Sequence, residues 1–223
     1  MPRLARIVVP GLPHHVTQRG NRREPIFFEP GDYIFYREIL AGQCRKADVA
    51  CWAYCLMPNH VHLVSIPSTL NGLSLALGET HRRYTSFINT RAGWTGHLFQ
   101  GRFSSVPIDE DHLLTAARYV SLNPVRAGLV KEAVEWRWSS VRAHLAGRDD
   151  ALVDVRPLLQ RFPFFEDVVA HAAGEVAPEE FARLRAAEKT GRPLGNRTFV
   201  EKLEAMARRS ALPGKTGPFP SES

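Results

Sequence analysis

Residues 50–66 read ACWAYCLMPNHVHLVSI, and the fold turns on how this stretch divides. Ala50–Met57 is an apolar, aromatic-rich run of strand length, Pro58-Asn59 interrupts it, and His60–Ile66 forms a second such run. Two strands separated by a two-residue break predict an antiparallel hairpin. Side chains alternate along a strand, so His60 and His62 share one face while Val61 takes the other. Two neutral imidazoles side by side make a two-point clamp for a metal ion. Val61, Leu63 and Val64 mark this strand as largely buried, where histidines need a partner because an unsatisfied polar group is costly.

Working outward, Leu12–Arg19 (LPHHVTQR) reads as a strand that stops at the turn signal Gly20-Asn21. Glu29-Pro30-Gly31-Asp32 opens a helix capped by Asp32, with Tyr33, Phe35, Tyr36, Ile39, Leu40 and Cys44 at helical spacing through to Ala47. A second helix is expected over 73–89, a fourth strand over Gly101–Ile108, and a helix over Asp109–Leu122. The acidic first turn of that last helix suits the helix dipole, and Pro124 stops it. The order β-α-β-β-α-β plus one helix predicts an α+β, ferredoxin-like antiparallel sheet with helices packed on one face. Short helices are expected near 139–146, 164–172, 178–189 and 198–208. This divides the chain into an α+β domain (1–147), a helical C-terminal extension (148–212) and a Gly/Pro/Ser-rich, disordered tail (213–223).

The chain has 223 residues, 44% hydrophobic and 23% charged, the composition of a soluble globular protein rather than a disordered or fibrous one. No stretch approaches the roughly 18 apolar residues of a membrane span. Ile7-Val8-Val9 is too short for a signal peptide, and three cysteines fit free thiols in a reducing compartment, so the cytoplasm is the expected location. The net charge of +6 lies in the first half: residues 1–108 carry 12 basic and 6 acidic side chains, whereas the remainder is balanced. Arginine supplies 24 of the 29 basic residues, which suits polyanion recognition and also follows from gene base composition. Arg19, Arg22 and Arg23 around the Gly-Asn turn, Arg82 and Arg83, and Gln100 and Arg102 are candidate nucleic-acid contacts or, equally, parts of a solvated polar face.

Tyr119 and Asn123 stand four apart, on one face of the predicted helix. A phenol with a pKa near 10 becomes a useful nucleophile when a metal polarises its target or a neighbour takes its proton. Asn123 can offer an amide oxygen to a metal, or simply cap the helix. Tyr33 and Tyr36 read as core. Tyr54 lies in the strand before the histidines with its facing open, and Tyr84, beside His81, Arg82 and Arg83, is the rival nucleophile. Trp136 and Trp138 read as core. Cys51 and Cys55 with the two histidines would make a zinc site only if both thiols face them. Pro213-Gly214-Lys215-Thr216 lacks the strand–helix setting of a phosphate loop.

The run Tyr54–Leu63 (YCLMPNHVHL) resembles the His-hydrophobic-His (HUH) motif of the single-tyrosine transposases. Arg118–Val130 (RYVSLNPVRAGLV) resembles their tyrosine helix, and His15–Asn21 (HVTQRGN) and Gly96–Phe103 (GHLFQGRF) match further signatures of that family in the expected order. The branch most similar is the REP-associated tyrosine transposases, over roughly residues 3–145. The resemblance implies a divalent cation, Mg²⁺ or Mn²⁺, held by His60, His62 and Asn123, and a Tyr119 nucleophile that cuts and rejoins single-stranded, hairpin-containing DNA through a 5′-phosphotyrosine. It implies that the α+β domain (1–147) is catalytic, and that the protein is a monomer or a homodimer with no membrane partner. A catalytically silent nucleic-acid-binding regulator on the same scaffold is the alternative.

Overall fold

The computed structural model describes residues 6–170 and 178–207; the tail expected over 213–223 lies outside them. Strands β1 (His14–Arg19), β2 (Val49–Met57), β3 (His60–Pro67) and β4 (Ser104–Pro107) form one antiparallel sheet in the order β2-β3-β1-β4. Helix α1 (Pro30–Lys46) links β1 to β2 and α2 (Gly72–Ala92) links β3 to β4, so the two β-α-β units interleave. Helix α1 starts at Pro30 rather than Asp32. Glu29 is the cap, and Asp32 closes a capping box by accepting from the backbone N–H groups of Phe28 and Glu29.

Sheet register sorts the side chains into two faces. His62 stands opposite Thr17 and Cys55, His60 opposite Arg19 and Met57, and His15 opposite Val64 and Val106. Directly paired residues share a face, so His15, Thr17, Arg19, Cys55, His60 and His62 all point the same way. Val16, Tyr54, Leu56, Val61 and Leu63 point to the other side, into a core with α1 and α2 that includes Phe27, Tyr33, Tyr36 and Tyr84.

The expectation of helices on one face is corrected: the histidine face is covered too. Helix α3 (Glu110–Ser121) lies across it, joined by α4 (Asn123–Arg126), α5 (Val141–Leu145), α6 (Arg156–Arg161), α7 (Phe165–Val169) and α8 (Pro178–Thr190). Leu113, Ala117, Tyr119 and Val120 of α3 share a second core with Ala53, Cys55 and Val64 of the sheet and with Leu158, Phe165, Phe181 and Leu184. The extension beyond residue 147 therefore contributes to the same core as the sheet. Each sheet edge meets a single isolated bridge, Cys55↔Ser139 on β2 and Ile108↔Leu194 just beyond β4. Helix α9 (Arg197–Ala207) follows, with Leu203 buried beside Ile7 and Val9. No helix among the described residues is long and apolar enough to cross a membrane.

Candidate active site

A cavity of about 360 Å³ opens at one end of the histidine face, lined by Thr17, Gln18, Arg19, His60, His62, Gln100, Tyr119, Arg185, Glu188 and Lys189. The sheet supplies the imidazoles, α3 the phenol and α8 the carboxylate. The rings of His60 and His62 meet edge to face at 4.8 Å, and Tyr119 stands edge-on to His62 at 5.3 Å and to His15 at 5.6 Å. Tyr119 is buried, backed by Phe181 and flanked by the Arg126 guanidinium, 5.0 Å from its ring centre.

Hydrogen bonds set which imidazole nitrogens stay free. Asn59, in the hairpin turn, accepts from His60 Nδ1 at 2.6 Å, which leaves His60 Nε2 with its lone pair. His62 Nδ1 lies 3.2 Å from Nε2 of the buried, parallel His15 ring. With the shared proton on His62 Nδ1, His62 Nε2 also keeps its lone pair, and that atom is buried without a partner. Glu188 Oε1 sits 3.2 Å from His15 Nδ1 and 3.9 Å from His62 Nδ1, though neither approach is aligned as a hydrogen bond. An unpaired buried nitrogen costs about 1–3 kcal/mol, so the donor set fits a cation that would satisfy it. His15, His62 and Glu188 also lie close enough together to hold an ion themselves.

Burial dominates the protonation of the site. It lowers His60 to about 4 and His15 to about 3. His62 is pushed well down by burial and then by His60, His15, Arg19 and Arg126. All three rings are neutral, the form that binds metals. Burial, aided by Glu188, raises the Tyr119 phenol despite Arg126. Burial also lifts Glu188 to about 7, against the pull of Arg19, Arg185 and Arg126. Three cations around a cavity with Glu188 as its lining carboxylate favour an anionic ligand such as phosphate.

The structure thus brings together His60, His62, Tyr119, Arg19 and Gln100. Asn123 is buried at the first residue of α4, outside the cavity lining, because the helix closes at Ser121 and a new turn begins beyond Leu122. Arg82 and Arg83 lie on α2, behind the opposite face, where Arg82 pairs with Glu79. Arg22 and Arg23 occupy the turn just past Arg19, and exposed Arg102 lies beside Arg6. Tyr84 is no rival: it lies behind the sheet and donates to the Ile26 carbonyl. Tyr54 also faces away from the histidines. A bulge between Cys51 and Ala53 sends Cys51 into the α1–α2 core while Cys55 stays on the histidine side, so the two thiols cannot share a zinc ion with His60 and His62. Trp138 stacks on Tyr33, and Trp136 donates to the Leu56 carbonyl, as core residues would. His15 and Glu188 were not foreseen as site residues. The alternation His15-Val16-Thr17-Gln18-Arg19 carries a signal for His15, whereas Glu188 arrives from a helix whose docking no local pattern reveals.

The site thus gathers a buried phenol, two neighbouring imidazoles, a carboxylate and three cationic side chains around one open cavity. The family model for IS200-like transposases matches residues 8–123, just over half of the chain, and the chain belongs to that family. Among solved structures it is similar to a REP-associated tyrosine transposase bound to a REP hairpin, with a TM-score of 0.56 and 22% identity over 70% of this chain and 93% of that one. A putative transposase from Deinococcus radiodurans R1 is more distant, with a TM-score of 0.39 and 18% identity over 53% of this chain and 95% of that one. No curated protein matches the sequence.

Proposed function

We propose that the protein is a single-tyrosine DNA strand transferase of the REP-associated branch, acting on single-stranded DNA that carries hairpins. The observation that carries this reading is the convergence of Tyr119, His60 and His62 on one cavity from separate elements. Tyr119 Oη attacks the scissile phosphorus, the P–O3′ bond breaks, and the strand remains on the enzyme as a 5′-phosphotyrosine. The phenol proton is made up on the departing 3′-oxygen, and attack by another 3′-OH reverses the step without an external energy source. Arg19, Arg185 and Lys189 hold the phosphate, and Glu188, protonated up to about pH 7, is suited to exchanging the proton. His60 and His62 would hold a divalent cation, Mg²⁺ or Mn²⁺. Asn123 is the amide ligand that the family resemblance implies, and Glu188 is a carboxylate already at the cavity. Such an ion supplies Lewis-acid polarisation of the phosphate oxygens. The hairpin substrate is carried over from the similar structure that holds one.

The test is incubation of the protein and Mn²⁺ with 5′- and 3′-labelled palindromic single strands, resolved under denaturing conditions. Wild type and Tyr84→Phe should give a protein–DNA adduct and a free 3′-OH fragment, and Tyr119→Phe should give neither. DNA binding without an adduct in wild type would instead favour the silent regulator.

A further inference from the structure

A second cavity, of about 280 Å³, lies beside the first and plays no part in the chemistry above. Its lining includes Asn21, Arg22, Glu24, Phe28, Trp94 and His97. Trp94 is 52% exposed and Phe28 45%, and their rings meet edge to face at 5.5 Å. The loop presenting Trp94 is fixed: Gly93 ends α2 in the left-handed region at φ 66°, the Trp94 N–H donates to the Asn89 carbonyl, and the Asn89 side chain donates to the Gly96 carbonyl. A held aromatic pair facing solvent in a concave site is a ready stacking surface.

The facing wall is strained. Arg22 and Arg23 are consecutive non-glycine residues at φ 53° and 66°, a conformation that costs about 1 kcal/mol or more at each. Asn59, the residue that orients His60, holds this turn by donating to the Arg23 carbonyl at 2.9 Å. The turn keeps both guanidiniums exposed, and among the described residues neither pairs with a carboxylate.

The two cavities share a wall. Arg19 and Gln100 line the first and Asn21 and Leu98 the second. Gly20↔Phe99 is the bridge between them, closed by Gln100 N–H to the Arg19 carbonyl and Asn21 N–H to the Leu98 carbonyl, each at 2.8 Å. Two residues of extended chain span about 7 Å, the length of about two stacked nucleotides.

We infer that this second cavity receives one unpaired nucleobase of the DNA substrate, stacked on Trp94 with its phosphate toward Arg22 and Arg23, within about two nucleotides of the bond that Tyr119 attacks. The inference deepens the strand-transfer reading and rests on it. An aromatic floor suits a flat base. The Glu24 carboxylate at the wall repels a bare phosphate but can accept from a base N–H, the thymine imide included.

The test is an abasic scan. A fluorescent hairpin oligonucleotide with oligothymidine flanks, each variant carrying one abasic site, is titrated against wild type, Trp94→Ala and Trp94→Phe, with melting temperatures as the folding control. Trp94 is half exposed, so the variants should fold. Stacking is worth about 1–3 kcal/mol per base, so one abasic position should weaken wild-type binding about 5- to 100-fold. Trp94→Ala should lose the same factor on intact DNA and become indifferent to that position, and Trp94→Phe should keep part of both. A flat scan, or a Trp94→Ala protein that binds as wild type does, overturns the inference. Adduct formation is read in parallel: an adduct with a flat scan removes the base site alone, and a position-dependent scan without an adduct removes the strand-transfer reading and keeps the base site.

Discussion

Glu188→Gln should make the metal-free protein more stable while weakening its hold on metal. In the folded protein the Glu188 carboxyl titrates at about 7 instead of its ordinary 4.5, because burial outweighs three nearby arginines. A carboxyl raised on folding binds more protons folded than unfolded between these values, so stability falls as pH rises through that interval. The interval sets a ceiling of about 3 kcal/mol, reached above pH 7, and water access at a partly exposed side chain reduces it to about 2 kcal/mol. Glutamine matches the protonated acid in shape and never ionises. The variant should therefore melt several degrees higher than wild type at pH 8, with the gap closing by pH 4.5. The same carboxylate lies close enough to His15 and His62 to hold an ion with them, so removing its charge should weaken Mn²⁺ binding by about tenfold or more. Thermal melts across pH, paired with Mn²⁺ titration by calorimetry, measure both. A variant that melts below wild type at pH 8 and binds Mn²⁺ as tightly would refute the reasoning.

Three further outcomes follow from the same geometry. Asn59→Ala removes the acceptor for His60 Nδ1 and the brace on the Arg23 carbonyl, and should weaken Mn²⁺ binding by about tenfold in calorimetry while the fold persists. In Gly20→Ala the new Cβ would lie 2.1 Å from the Glu24 carbonyl oxygen, so the turn must open, and chemical denaturation should register a loss of about 2 kcal/mol. Burial alone would raise the Asp32 carboxyl, but Arg91 and the Phe28 and Glu29 backbone N–H groups hold it below 3.8. Its contribution is present above 3.8 and lost as pH falls through the lower folded value, so Asp32→Asn should cost about 2 kcal/mol at pH 7 and less in acid, read from urea melts at both.

Much of this was legible in the sequence because it is local. The hairpin about Pro58-Asn59, the shared facing of His60 and His62 and the helix bearing Tyr119 follow from periodicity and turn chemistry. The order of the four strands and of α1 to α3 followed as well, whereas the short helices α4 and α6 were not foreseen. What escaped depends on contacts between distant segments. One extra residue at the β2 bulge reverses the facing of Cys51, which alternation alone cannot foresee. The covering of the histidine face by α6 to α8 arises because Leu158, Phe165 and Phe181 find apolar partners on α3 and the sheet. Glu188 enters the cavity through that docking.

The most direct test of the central claim is to locate the covalent bond. After reaction with a hairpin strand and Mn²⁺, nuclease and trypsin treatment should leave the nucleotide mass on the peptide Tyr119–Arg126, attached at Tyr119. A nucleotide found on any other residue, or cleaved DNA with every peptide unmodified, would contradict it.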